Sequence, residues 1–76
     1  VNADRRKRLA KAQELIEQAK SIVEEVADEE QEAFDNMSEG LQATEKAQRM
    51  EEAAGELQEV ISSLDDVTGN IDTAME

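Results

Sequence analysis

The sequence predicts an all-α fold: an antiparallel, coiled-coil-like two-helix hairpin that dimerises into a four-helix bundle. Three observations carry this. The 76 residues include no proline, only three glycines and a single aromatic, Phe34, so nearly every position is a fair to good helix former and the side-chain mixture of strands is missing. Two stretches of equal length place small or apolar residues at alternating steps of three and four, the period of a helix face packed on another helix. Between them lies one short break rich in capping and turn residues.

The first helix is expected over about residues 3–36, with a packing row of Leu9, Ala12, Ile16, Ala19, Val23, Val26, Glu30, Ala33 and Met37 that only Glu30 interrupts. The turn is expected over about 37–44. There Asn36 can stop the first helix, Gly40 can take a positive φ, and Ser38 or Thr44 can cap the next helix. The second helix is expected over about 45–75, with the row Ala47, Met50, Ala54, Leu57, Ile61, Leu64, Thr68, Ile71 and Met75. So short a turn makes the helices antiparallel neighbours within one hairpin domain, 1–76, in which facing residue numbers sum to about 84. Ala12 then faces Ile71, Ala19 faces Leu64 and Ala33 faces Met50, so small mostly meets large.

The apolar stripe is wider than one seam needs. Leu15 and Ile22 flank it on the first helix, and Val60, Val67, Ala53 and Ala74 flank it on the second. A face near three positions in seven suits a helix in a four-helix bundle, so Leu15, Ile22, Val60 and Val67 are the candidate dimer interface. Length argues the same way, because a chain of 76 residues with no Cys and no His has neither disulfides nor common zinc ligands to supplement a thin core. A bundle completed by a different protein is the alternative, and a lone hairpin would leave an apolar groove in water.

Charge is unevenly spread. Residues 1–20 carry six basic and three acidic side chains, and residues 21–76 carry two basic and seventeen acidic ones, within a net charge of −12. The hairpin register sets the run Arg5, Arg6, Lys7, Arg8 beside Asp72, Glu76 and the negative dipole end of the second helix, where much of it is expected to be neutralised. Direct nucleic-acid binding is disfavoured, since the basic run continues only to Lys11 and Lys20 and the net charge opposes a phosphate backbone. On the first helix Glu24, Asp28 and Glu32 stack at steps of four, as do Glu25 and Glu29. Each such like-charge pair costs about 0.2 to 0.5 kcal/mol. Lys20 to Glu24 and Glu45 to Arg49 relieve part of this. The rest either keeps the chain soluble or meets a basic partner, and the candidate contacts are Glu24, Glu25, Asp28, Glu29 and Glu32 with Glu51, Glu52, Glu56 and Glu59.

No catalytic, cofactor-binding or metal-binding residues are expected. Without His, Cys, Tyr or Trp there is no imidazole base, thiol nucleophile or common zinc site. Adjacent carboxylates such as Asp65 and Asp66 diverge by about 100° on a helix, and no calcium-loop spacing occurs. No apolar run approaches the roughly 18 residues of a membrane span, so neither a membrane nor a secreted location is expected.

The stretch DEEQEAFDNMSEGLQATEKAQRMEE, residues 28–52, together with Arg5, Arg6 and Lys7, resembles the small acidic helical proteins encoded by tailed phages and prophages. The residues that match are Glu29, Glu30, Gln31, Glu32, Ala33, Phe34, Asp35, Asn36, Glu39, Leu41, Gln42, Glu45 and Met50. Ser38, Gly40 and Ala47 depart from the family's Pro, Ser and Gly, which bears on turn geometry. The resemblance implies a phage accessory protein in the bacterial host cytoplasm and no activity. Combined with the charge pattern, it leads to the expectation of a homodimeric interaction module that binds a basic host protein and inhibits a nucleic-acid-binding factor by charge mimicry. The alternative is an assembly or chaperone-like phage protein that pairs through its apolar helix face.

Overall fold

The computed structural model describes all residues, 1–76, as two long helices joined by a single helical turn. They are α1 (Ala3–Asp35), α2 (Glu39–Gln42) and α3 (Glu45–Met75). The start of α1 is set by Asn2, whose side-chain oxygen accepts from the Arg5 amide at 2.8 Å, with Asp4 in the first turn favoured by the helix dipole. Asn36 ends α1 in the right-handed helical region. Ser38 caps α2, and Thr44 caps α3 by accepting from the Ala47 amide at 3.3 Å. The Gln42 side-chain amide donates to the Phe34 carbonyl at 3.1 Å and ties the connection to the end of α1.

Gly40 does not take the positive φ that its type suggested. No glycine in the chain does. Gly40 instead lies inside α2, and the chain reverses through two successive N-capped helix starts, so no left-handed residue is required.

The long helices run antiparallel along a body of 58 × 15 × 12 Å. Polar links across the seam join Arg6 to Met75, Gln13 to Thr68 and Asp72, and Lys20 to Asp65, residue pairs whose numbers sum to between 81 and 85. The register read from the turn length falls inside that range. All nine row positions of α3, from Ala47 to Met75, are buried or half-buried.

The row on α1 is corrected by the structure. Leu9, Ile16, Val23, Glu30 and Met37 do turn inward, and Ala12 is half-buried, but Ala19, Val26 and Ala33 are exposed. Their places are taken by the residues one step on, Lys20, Ala27 and Phe34, and Gln13 is half-buried beside Ala12. A column of positions seven apart can be completed into a helix face from either side. Here the chosen side brings in Phe34, the bulkiest apolar residue of the chain, while Gln13 and Lys20 lay their stems along the seam and send their polar ends to α3.

Buried residues number three, all alanines: Ala27, Ala47 and Ala54. So slight an interior stabilises the hairpin weakly. A compact monomer of 8.4 kDa would expose about 4,600 Å², whereas this one exposes 5532 Å².

Candidate interaction surfaces

Two surfaces stand out, one apolar and one acidic. The apolar one follows from the corrected rotation of α1. One step back from the seam residues Gln13, Lys20 and Ala27 are Ala12, Ala19 and Val26, and one step back from Ala54, Ile61 and Thr68 are Ala53, Val60 and Val67. Each step back turns the direction by about 100° about its helix, and in an antiparallel pair equal turns from the seam lead to the same side. The two flanks therefore share one face. Leu15 and Ile22 extend it outward, and Leu15, Ile22, Val26, Val60 and Val67 are 41–62 % exposed. One step forward from the seam leads to the other side, which is polar: Glu14, Glu17, Glu24 and Asp28 on α1, with Asp65 and Asp72 on α3.

The second surface is the connection end, or tip. Residues 21–63 carry thirteen acidic and two basic side chains, net −11. The open end, residues 1–20 with 64–76, carries seven acidic and six basic, net −1. Glu24, Glu25, Asp28, Glu29, Glu32, Glu51, Glu52, Glu56 and Glu59 are all exposed. Of these nine, Glu24 alone has a cation within ion-pair distance, Lys20 at 3.7 Å. The pair Glu45 to Arg49 also forms, at 2.7 Å. Both were expected from their spacing of four.

The basic run is neutralised differently from expectation. Arg6 donates to the Met75 carbonyl at 2.8 Å, so it does meet the negative end of the α3 dipole. No member of the run pairs with Asp72 or Glu76: Asp72 accepts from Gln13 at 2.6 Å, and Arg8 turns back to Asp4 at 3.1 Å. The cross-helix ion pair lies further along, Lys20 to Asp65 at 2.6 Å. That hydrogen bond is the main reason the Lys20 pKa is raised above the ordinary lysine value, against a lowering by desolvation. Sequence patterning missed this pair and Gln13, although the register places 20 beside 65 and 13 beside 72. A search for polar partners along the register would have found both.

No three of the carboxylates stand together in a way that could hold a metal ion. The largest depression, about 580 Å³, is an open hollow at the open end lined by Ala3, Asp4, Arg6, Lys7, Ala10 and Met75. No helix is long and apolar enough to cross a membrane. Comparison with protein-family models, with curated proteins and with solved structures gives no match.

Proposed function

We propose that this chain is a non-enzymatic interaction protein, a hairpin that pairs with a second copy through its apolar face and presents its acidic tip to a basic protein surface. The observation that carries this is the tip itself: net −11, with eight of the nine carboxylates singled out above lacking any cation in reach. Stacked like charges destabilise the helices that bear them, and a basic partner would remove that cost. A groove that ordinarily holds nucleic-acid phosphates is the basic surface such a row fits best. The reading is thus inhibition by charge mimicry, by a phage or prophage accessory protein in the host cytoplasm, a context supported by the resemblance of residues 28–52.

A second reading is favoured by the exposed Leu15, Ile22, Val60 and Val67. In it the apolar face joins an assembly or chaperone complex, and the charge serves solubility. Salt separates the two. The immobilised chain is exposed to host lysate at low and at moderate ionic strength, and the bound proteins are identified and challenged with duplex DNA. Charge mimicry predicts capture that fades with salt, displacement by DNA, and weaker capture by the triple variant Glu24→Gln, Asp28→Asn, Glu32→Gln, whose helicity is unchanged. Equal, salt-indifferent capture by parent and triple variant would leave the assembly reading standing instead.

A further inference from the structure

We propose that the second copy covering the apolar face lies in the opposite direction, so that the acidic tip of each hairpin sits beside the open end of the other. This rests on the reading that the apolar face is where the chain pairs with itself, and it adds the orientation, the register and the symmetry axis.

The exposed area first sets the scale. The chain shows roughly 900 Å² more surface than a compact monomer of its mass, close to the ~800 Å² that each side of a standard interface removes from water. A face-to-face pair of hairpins has two possible two-fold axes in the interface plane. An axis along the hairpin sets tip beside tip, and an axis across it sets tip beside open end. Both give antiparallel helix neighbours. Charge separates them, because the first arrangement brings two net −11 halves together, whereas the second sets −11 beside −1.

The residues on the face point the same way. Along α1 the flank begins with Arg8, passes through Ala12, Leu15, Ala19 and Ile22, and ends at Glu29. Arg5 and Arg8 line a hollow together with Leu9, which places them on this side of the helix. Basic, apolar, acidic is an order that complements itself when reversed. Turned about the midpoint between Gln18 and Ala19, Leu15 meets Ile22 of the partner subunit, and Arg8 meets the partner subunit's Glu29. On α3 the equivalent centre lies between Ser63 and Leu64, about which Val60 meets Val67 of the partner subunit. These two midpoints stand at one height in the hairpin, since their positions sum to 82, within the 81 to 85 of the observed cross-helix links. One two-fold axis therefore serves both helices. The apolar residues alone would also fit the tip-to-tip pair, in which Leu15 and Ile22 lie at the heights of Val67 and Val60, so the orientation rests on the charge order along the face.

The tips measure the orientation directly. Gly40 is exposed, a Cβ there would meet nothing within 4 Å, and the chain has no cysteine, so Gly40→Cys accepts one spin label. Pulsed electron resonance on the labelled protein, with its mass from light scattering, is expected to give a dimer and a label separation of about 60 Å, twice the rise from Ala19 to Gly40. A dimeric mass with labels under about 30 Å apart overturns the orientation and leaves self-pairing intact. A monomeric mass at micromolar concentration overturns both. The register has its own test: Arg8→Glu should weaken dimerisation about fivefold, and Arg8→Glu with Glu29→Arg should restore it. Failure of the double variant to recover removes the Arg8 to Glu29 pairing.

Discussion

The open half and the tip half of the hairpin are held together by different means. At the open half the helices are laced by polar links, with Arg6 on the Met75 carbonyl, Gln13 on Thr68 and Asp72, and Lys20 on Asp65. The tip half has no such link between α1 and α3. It relies on the buried Ala27, Ala47 and Ala54, on Phe34, and on a connection capped twice. It also carries nearly all of the net charge. The half under greatest electrostatic strain thus has no polar link across the α1 to α3 seam, and it is the half whose stability a basic partner would raise most.

The strongest way to break this contrast is to place a charge in the tip's packing. Ala54 is 4 % exposed, so Ala54→Asp puts a carboxylate in the seam with no cation to meet it. The loss should be about 3 to 5 kcal/mol, comparable with the whole stability of so thin a domain. Circular dichroism should show the helical signal collapse. Gln18→Asp, the same charge on an exposed position of the open half, should leave it nearly unchanged. Equal behaviour of the two would mean that the seam at the tip is not closed.

Salt gives a smaller effect of opposite sign. Screening weakens repulsion among the exposed tip carboxylates far more than it weakens the short contacts of the open half. Melting temperature should therefore rise with added salt, and amides of residues 21–63 should gain more protection from exchange than those of the open half. A fall in melting temperature would show that attraction, from pairs such as Lys20 with Asp65, outweighs the repulsion.

The same contrast explains how much could be read from the residues. The α3 row was legible throughout because eight of its nine positions are apolar or alanine, and hydrophobic period alone locates such a face. The α1 row was misplaced by one step at Ala19, Val26 and Ala33. At Ala19 hydrophobicity favours the alanine over Lys20 and does not register a bond to the other helix, whereas Ala27 and Phe34 are apolar themselves, and the period alone does not choose the side from which the column is completed. The caps Ser38 and Thr44 were legible from residue type, whereas the single turn of α2 between them was too short to leave a periodic trace. Exposure of the nine tip carboxylates followed from their positions off both rows. That Leu15 and Ile22 share a face with Val60 and Val67 did not, because it depends on the rotation of each helix about the seam. A further clue was present: Ala12, Leu15, Ala19, Ile22 and Val26 themselves step by four and three, the mark of a second packing row.

The smallest expected effect isolates one polar link of the open half. Lys20 lies 2.6 Å from Asp65 across the seam and 3.7 Å from Glu24 on its own helix. Its raised pKa comes first from the hydrogen bond to Asp65, opposed by desolvation, with further raising from the charges of Asp65, Glu17 and Glu24. A lysine that holds its proton more tightly when folded adds stability that is fully present below the ordinary lysine pKa, and this is lost as pH rises through the raised value. Lys20→Met keeps the stem along the seam and removes the charge. The variant should melt slightly lower than the parent near neutral pH, and the gap should close once the pH exceeds the raised lysine value. Because the pair belongs to the open half, exchange protection should fall around Gln13 and Thr68 and stay unchanged around Ala47 and Ala54. A gap that persists undiminished at high pH would mean that Lys20 acts through the packing of its stem and not through its proton, leaving Arg6 and Gln13 as the polar links of the open half.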